Sequence, residues 1–232
     1  MQTKTNVLVF SLAAILSLSI IAMGEIPQAE ADDNKIWKFF KKFSDKADFV
    51  AKMDTSQIPD NDLPPGFDRG KTGMAKFSFD DDLSKLQYVL KFEGLELEGD
   101  SRTNGDDDVI TKIHFHESPP GEAGPHVLNV FGPPCNADLE MSFLAATHTM
   151  TGAYDDRDVK TEQENCSVAA DTLGKDGPDT DSLSEKLQAL CDGNLYVNVH
   201  SSATSETDSK GEIRGQIEPT KRGEKICNKL GF

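Results

Sequence analysis

Three of the chain's five histidines fall within thirteen positions, in the stretch KIHFHESPPGEAGPH that runs from Lys112 to His126. Side chains at i and i+2 of a β-strand share a face, with their Cα atoms about 6–7 Å apart. Over Thr111–Glu117 that spacing turns Ile113 and Phe115 one way and His114 and His116 together the other. His126 follows a turn-rich SPPGEAGP, so an adjacent strand or loop end can bring a third nitrogen beside them. The same alternation in LYVNVHSS sets Leu195, Val197 and Val199 on one face, and His200 on the other with Tyr196 and Asn198. Four imidazoles can thus converge on the polar side of one sheet. Imidazole-rich sites without thiolates suit copper, zinc or nickel, and copper binds most strongly in the divalent series. The rival reading is a hydrogen-bonded polar face whose histidines tie loops to backbone carbonyls. His148, in ATHTM, has no such neighbours and is read as an ordinary histidine.

The elements that must hold these residues are short alternating runs separated by Asp, Gly, Pro and Asn. Candidate strands are Phe49–Met53, Gly73–Phe79, Leu86–Phe92, Val109–Glu117, His126–Phe131, Leu195–His200 and Glu212–Glu218. Such spacing predicts an all-β domain, an antiparallel Greek-key sandwich or barrel, over residues 48–219. A short helix is expected at Ser182–Leu190, with Ser182 and Glu185 forming a capping box. Residues 136–175 read as an irregular insertion, and 220–232 as a C-terminal tail. Upstream, NKIWKFFKKFSDKADF places aromatics among lysines at helical spacing, a helical arm over 32–47. Residues 1–31 carry Lys4, an uncharged run from Val7 to Met23, and Ala29-Glu30-Ala31, the layout of a secretory signal peptide. The run is also at the lower limit, about 17 residues, for an uncleaved anchor. Membrane contact is expected only through that segment or the arm.

A secreted, periplasmic or cell-envelope location follows. The formal charge of −16 becomes −15 when Lys4, Glu25 and Glu30 leave with the signal (−16 − 1 + 2). So acidic a surface repels nucleic acid and favours cations. Four cysteines, Cys135, Cys166, Cys191 and Cys227, read as two disulfides with three connectivities open, the sequential one preferred. Acidic runs at Asp80–Asp82, Asp106–Asp108 and Asp176–Glu185 lack EF-hand spacing and are read as solvated turns. Asn165-Cys166-Ser167 matches a glycosylation acceptor. No G-x-S-x-G elbow or glycine-rich phosphate loop is present, and no organic cofactor is expected.

The blocks GKTGMAKFSF, LSKLQYVLKFEGL, ITKIHFHESPPGEAGPHVLNVFG and LYVNVHSSATSETDSKGEIRGQIEP resemble the CHRD domain, a module of chordin also found singly in exported microbial proteins. The resemblance covers roughly residues 48–219. It implies an extracellular all-β domain and assigns no activity. Locally, HFHESPPGEAGPH is similar to the copper-binding stretch of copper/zinc superoxide dismutases. That likeness implies copper on His114, His116 and His126, with His200 as a fourth nitrogen and Arg214 nearby as an anion-attracting cation. Between His126 and His200 the chain has only His148, so the zinc subsite of that family is missing. Three functions are expected from this. The first is a binding or structural module for an extracellular protein, a surface polymer or a metal ion. The others are a copper-dependent dismutase-like enzyme and a periplasmic copper carrier.

Overall fold

The computed structural model describes residues 46–59, 70–96, 109–132, 138, 140–144, 147–159, 180–202 and 211–232. The signal segment, the arm up to residue 45, Cys135, Cys166 and Asn165 lie outside them. Among these residues ten strands form one sheet: β1 (Phe49–Asp54), β2 (Thr72–Phe79), β3 (Lys85–Glu93), β4 (Ile110–Glu117), β5 (His126–Phe131), β6 (Ser142–Leu144), β7 (Thr149–Asp155), β8 (Leu195–Ser201), β9 (Ile213–Gln216) and β10 (Glu218–Pro219). Their order is β5-β4-β8-β9-β1-β2-β3-β7-β6, with β10 beside β1. Every pairing between these strands is antiparallel.

The sheet curls into a half-barrel around a largely apolar buried face. Phe115 on β4 meets Phe77 on β2 at 5.7 Å between ring centroids, Tyr88 on β3 at 5.5 Å and Tyr154 on β7 at 6.4 Å, all near edge-to-face. One ring therefore joins strands far apart in the sheet order. Each such contact contributes about 0.5–1.5 kcal/mol beyond the area it buries. At the two ends of the sheet, Phe131 of β5 packs on Phe143 of β6 at 5.0 Å.

Two stretches differ from the expected organisation. The supposed irregular insertion contains β6 and β7, and β7 pairs with β3 over seven positions from Lys85↔Asp155 to Lys91↔Thr149. The supposed tail contains a helix. Helix α1 (Leu183–Cys191) is entered at Ser182, whose backbone N–H and hydroxyl both donate to the Glu185 carboxylate. Helix α2 (Lys221–Leu230) is capped by Thr220, which accepts from the N–H groups of Arg222 and Gly223, and it ends at Gly231 with φ 94°. Its buried residues are Gly223 and Cys227, and the disulfide Cys191–Cys227 ties it to α1.

Candidate metal centre

Register decides which side chains meet on the outer face of β5, β4, β8 and β9. His116 pairs with His126 on one side and Tyr196 on the other, and Tyr196 with Gln216 beyond. One row along, His114 pairs with Asn198, and Asn198 with Arg214. A further row sets Lys112 opposite His200. Irregularities in the β4–β5 register, between Ile113 and His114 and between Phe115 and His116, shift the pairing so that His126 arrives beside both β4 histidines. Ring centroids lie 4.2 Å apart for His114 and His126, 4.4 Å for His116 and His126, and 5.8 Å for His114 and His116. Each of the three offers a ligand nitrogen within 4.8 Å of the others.

His114 and His116 face outward, as strand alternation requires, yet they are only 3% and 6% exposed. The other histidine rings crowd His114, and the segment 118–125 covers His116. It turns at Pro119–Glu122, where the Glu122 N–H donates to the Pro119 carbonyl and Gly121 takes φ 81°, the residue order and backbone sign of a type II turn. The segment then folds back over the sheet and is held from below. Tyr196 Oη accepts from the Gly124 N–H at 3.2 Å, and Gln216 Nε2 donates to the Ser118 carbonyl at 2.9 Å. Arg214 donates to the carbonyls of Glu122 at 2.5 Å and Pro119 at 3.2 Å. Last, His116 Nδ1 donates to the Gly124 carbonyl at 3.0 Å.

That last bond fixes a tautomer. With its proton on Nδ1, His116 presents the Nε2 lone pair, and Nε2 is buried with no hydrogen-bond partner among the described residues. At His114 both ring nitrogens are buried and unpartnered among the described residues. Leaving such a group unsatisfied costs about 1–3 kcal/mol. A cation is what this donor set fits. Burial first, then the neighbouring His126, holds His116 down to about 3. Burial, followed by His126, His200, His116 and Lys112, keeps His114 well below the usual histidine range. Near neutral pH the two imidazoles are therefore uncharged and ready to donate electron pairs.

His200 stands one step outside this group. Its ring centroid is 5.6 Å from that of His114, and its Nε2 accepts from Asn198 Nδ2 at 3.3 Å. Burial, then Lys112 and His126, takes it down to about 4. Arg214 is 2% exposed and lies across Tyr196 from the histidines: its guanidinium sits 3.5 Å from the Tyr196 ring centroid, while His116 stacks on the same ring from β4. Its donors go to loop carbonyls and Gln216 rather than toward the cluster. His148 donates from Nδ1 to the Leu95 carbonyl, a structural role. The Asp80–Asp82 run is a turn in which Asp80 and Asp82 accept from Ser84. Sequence reasoning placed Tyr196 and Asn198 on the histidine face but gave them no part. Their importance comes from pairing register, which alternation does not reveal.

A family model described as the CHRD domain matches residues 51–217. No curated protein and no solved structure matches the chain.

Proposed function

The chain belongs to the CHRD-domain family, and on that premise we propose that it is an exported binding module whose histidine cluster holds a copper ion. The observation that carries this is the trio His114, His116 and His126, whose nitrogens lie within 4.8 Å of one another while both nitrogens of His114 lack a partner among the described residues. A purely structural histidine is expected to spend its ring on the backbone, as His148 does. Copper is preferred because a trio of imidazoles without thiolate or carboxylate among the described residues suits it. The Cys191–Cys227 disulfide fits an extracellular or envelope setting.

Holding the ion, as a carrier or as part of a module that docks a protein or surface polymer, fits the geometry better than turnover does. A dismutase-like cycle needs an open coordination position and a path for an anion. Here a pinned segment lies over His116, the Arg214 donors point to loop carbonyls rather than to the cluster, and the formal charge of −15 on the exported chain repels superoxide.

The test is metal content. The full chain is purified, loaded in separate samples with Cu(II) and, anaerobically, with Cu(I), freed of loose metal, then analysed by mass spectrometry beside His116→Ala. One copper per chain in the wild type and its loss in the variant are expected. Wild-type protein that retains no copper overturns the proposal.

A further inference from the structure

Among the described residues, the charges beside the cluster are one-sided. Its three members are imidazoles grouped with no carboxylate there. Two cations flank them: Lys112 shares their face two residues before His114 and pairs across to His200, and Arg214 packs on the Tyr196 ring that His116 stacks against. Glu117, next to His116 in sequence, gives its carboxylate to Lys186 at 2.7 Å. An ion entering this site is thus buried, offered no negative ligand among the described residues and set beside positive neighbours.

Such surroundings weigh on ion charge. The cost of removing an ion from water rises with the square of its charge, and repulsion from Lys112 and Arg214 rises in proportion to it. A dication is penalised on both counts more than a monocation. Coordination number points the same way. Zinc held by three protein nitrogens keeps a water as its fourth ligand, and divalent copper favours a tetragonal array of at least four nitrogen or oxygen ligands. Monovalent copper, a closed-shell ion, is content with three. Three imidazoles are gathered here, and the fourth, His200, is held aside with its Nε2 engaged by Asn198.

We propose that the His114, His116, His126 cluster is a site for monovalent copper that discriminates against Cu(II) and Zn(II), its selectivity set by an all-imidazole ligand group among the described residues and by the cations Lys112 and Arg214. This rests on the copper reading above. The experiment is a set of competition titrations on the full chain, anaerobic for Cu(I) with a bicinchoninate chelator, and with matched chelators for Cu(II) and Zn(II). X-ray absorption on the Cu(I) form then counts the nitrogen neighbours.

Expected are Cu(I) affinity at least a thousandfold above that for Cu(II) or Zn(II), and three nitrogen neighbours. Lys112→Glu should narrow the Cu(I)/Cu(II) preference at least tenfold, a fall of about 59 mV in potential for this one-electron couple. Equal or tighter binding of Cu(II) or Zn(II), or a preference unmoved by Lys112→Glu, overturns the selectivity and leaves the metal site standing. Failure of all three ions to bind overturns the metal site itself, and the selectivity with it.

Discussion

Tyr196 lies flat against His116: the ring centroids are 4.9 Å apart and the planes 11° from parallel, and the two residues are cross-strand partners on β8 and β4. Arg214 covers the same tyrosine from the β9 side, and the tyrosine hydroxyl accepts from Gly124 above. One side chain thus orients a candidate ligand and anchors the segment that buries it. Tyr196→Phe keeps the ring and loses one hydrogen bond, so a cost of about 1 kcal/mol is expected. Tyr196→Leu loses the stack and the cation–π contact as well, on the order of 2 kcal/mol in all, and copper affinity should fall with it. Urea unfolding and chelator competition measure the two effects. Undiminished copper affinity in Tyr196→Leu would remove the tyrosine from the site.

Metal-free protein should lose stability in acid through the buried histidines. A histidine of ordinary pKa near 6.5 in the unfolded chain, but held well below that in the fold, binds its proton only on unfolding. The unfolded state then takes up more protons as pH drops below 6.5, so folding stability falls as pH falls, until the depressed folded value is reached. His114 alone should contribute a slope of up to about 1.4 kcal/mol per pH unit. Asp158, pushed up to about 8 by burial, acts in the opposite sense. Comparing wild type with His114→Asn, in chelator between pH 7 and 5, cancels that common background. Parallel stability profiles for the two proteins would show that His114 titrates normally.

The apolar runs of β1 to β5 and of β8 were legible because alternation is bounded by turn residues, and Ile113 and Phe115 do point inward as alternation requires. Strand β7 was not, and the reason is local. Gly152 interrupts its pattern, yet only glycine fits there: a Cβ would stand 2.2 Å from Tyr88 Oη and 2.3 Å from Asp138 Oδ2. Those two atoms are hydrogen-bonded to each other at 2.5 Å, inside the protein. Helix α2 hid for a similar reason, since its charged sequence buries only Gly223 and Cys227, and the glycine lets it approach the Asp48 carbonyl. The burial of His116 was illegible too, because it depends on the path of 118–125 rather than on any strand. Gly152→Ala should cost about 1–3 kcal/mol by overpacking, read from urea midpoints. A neutral effect would contradict the packing of β7 on β3.

The Cys191–Cys227 bridge closes a loop of 36 residues between the end of α1 and the middle of α2. By chain entropy, replacing both cysteines with serine should cost about 3–4 kcal/mol. Thermal unfolding of the double variant measures it, and copper affinity should be retained because neither helix supplies a histidine of the cluster. A loss below about 1 kcal/mol would mean that α1 and α2 hold together by packing alone.

Gly124 joins fold and site most directly. It stands where the covering segment returns to the sheet, its carbonyl accepting from His116 Nδ1 and its N–H donating to Tyr196 Oη. A Cβ at this position would lie 1.7 Å from the Glu117 carbonyl oxygen, so Gly124→Ala must push the segment off β4. The His116 ring then loses the acceptor that sets its tautomer. Removing a partner of this kind from a metal-binding histidine lowers affinity about 10- to 100-fold. The variant should therefore bind copper more weakly by that factor, and its metal-free form should expose His116 to faster modification by diethyl pyrocarbonate. Weaker binding with unchanged His116 reactivity would point to a general loosening of the fold. Unchanged binding would mean that the Gly124 carbonyl does not orient the ligand.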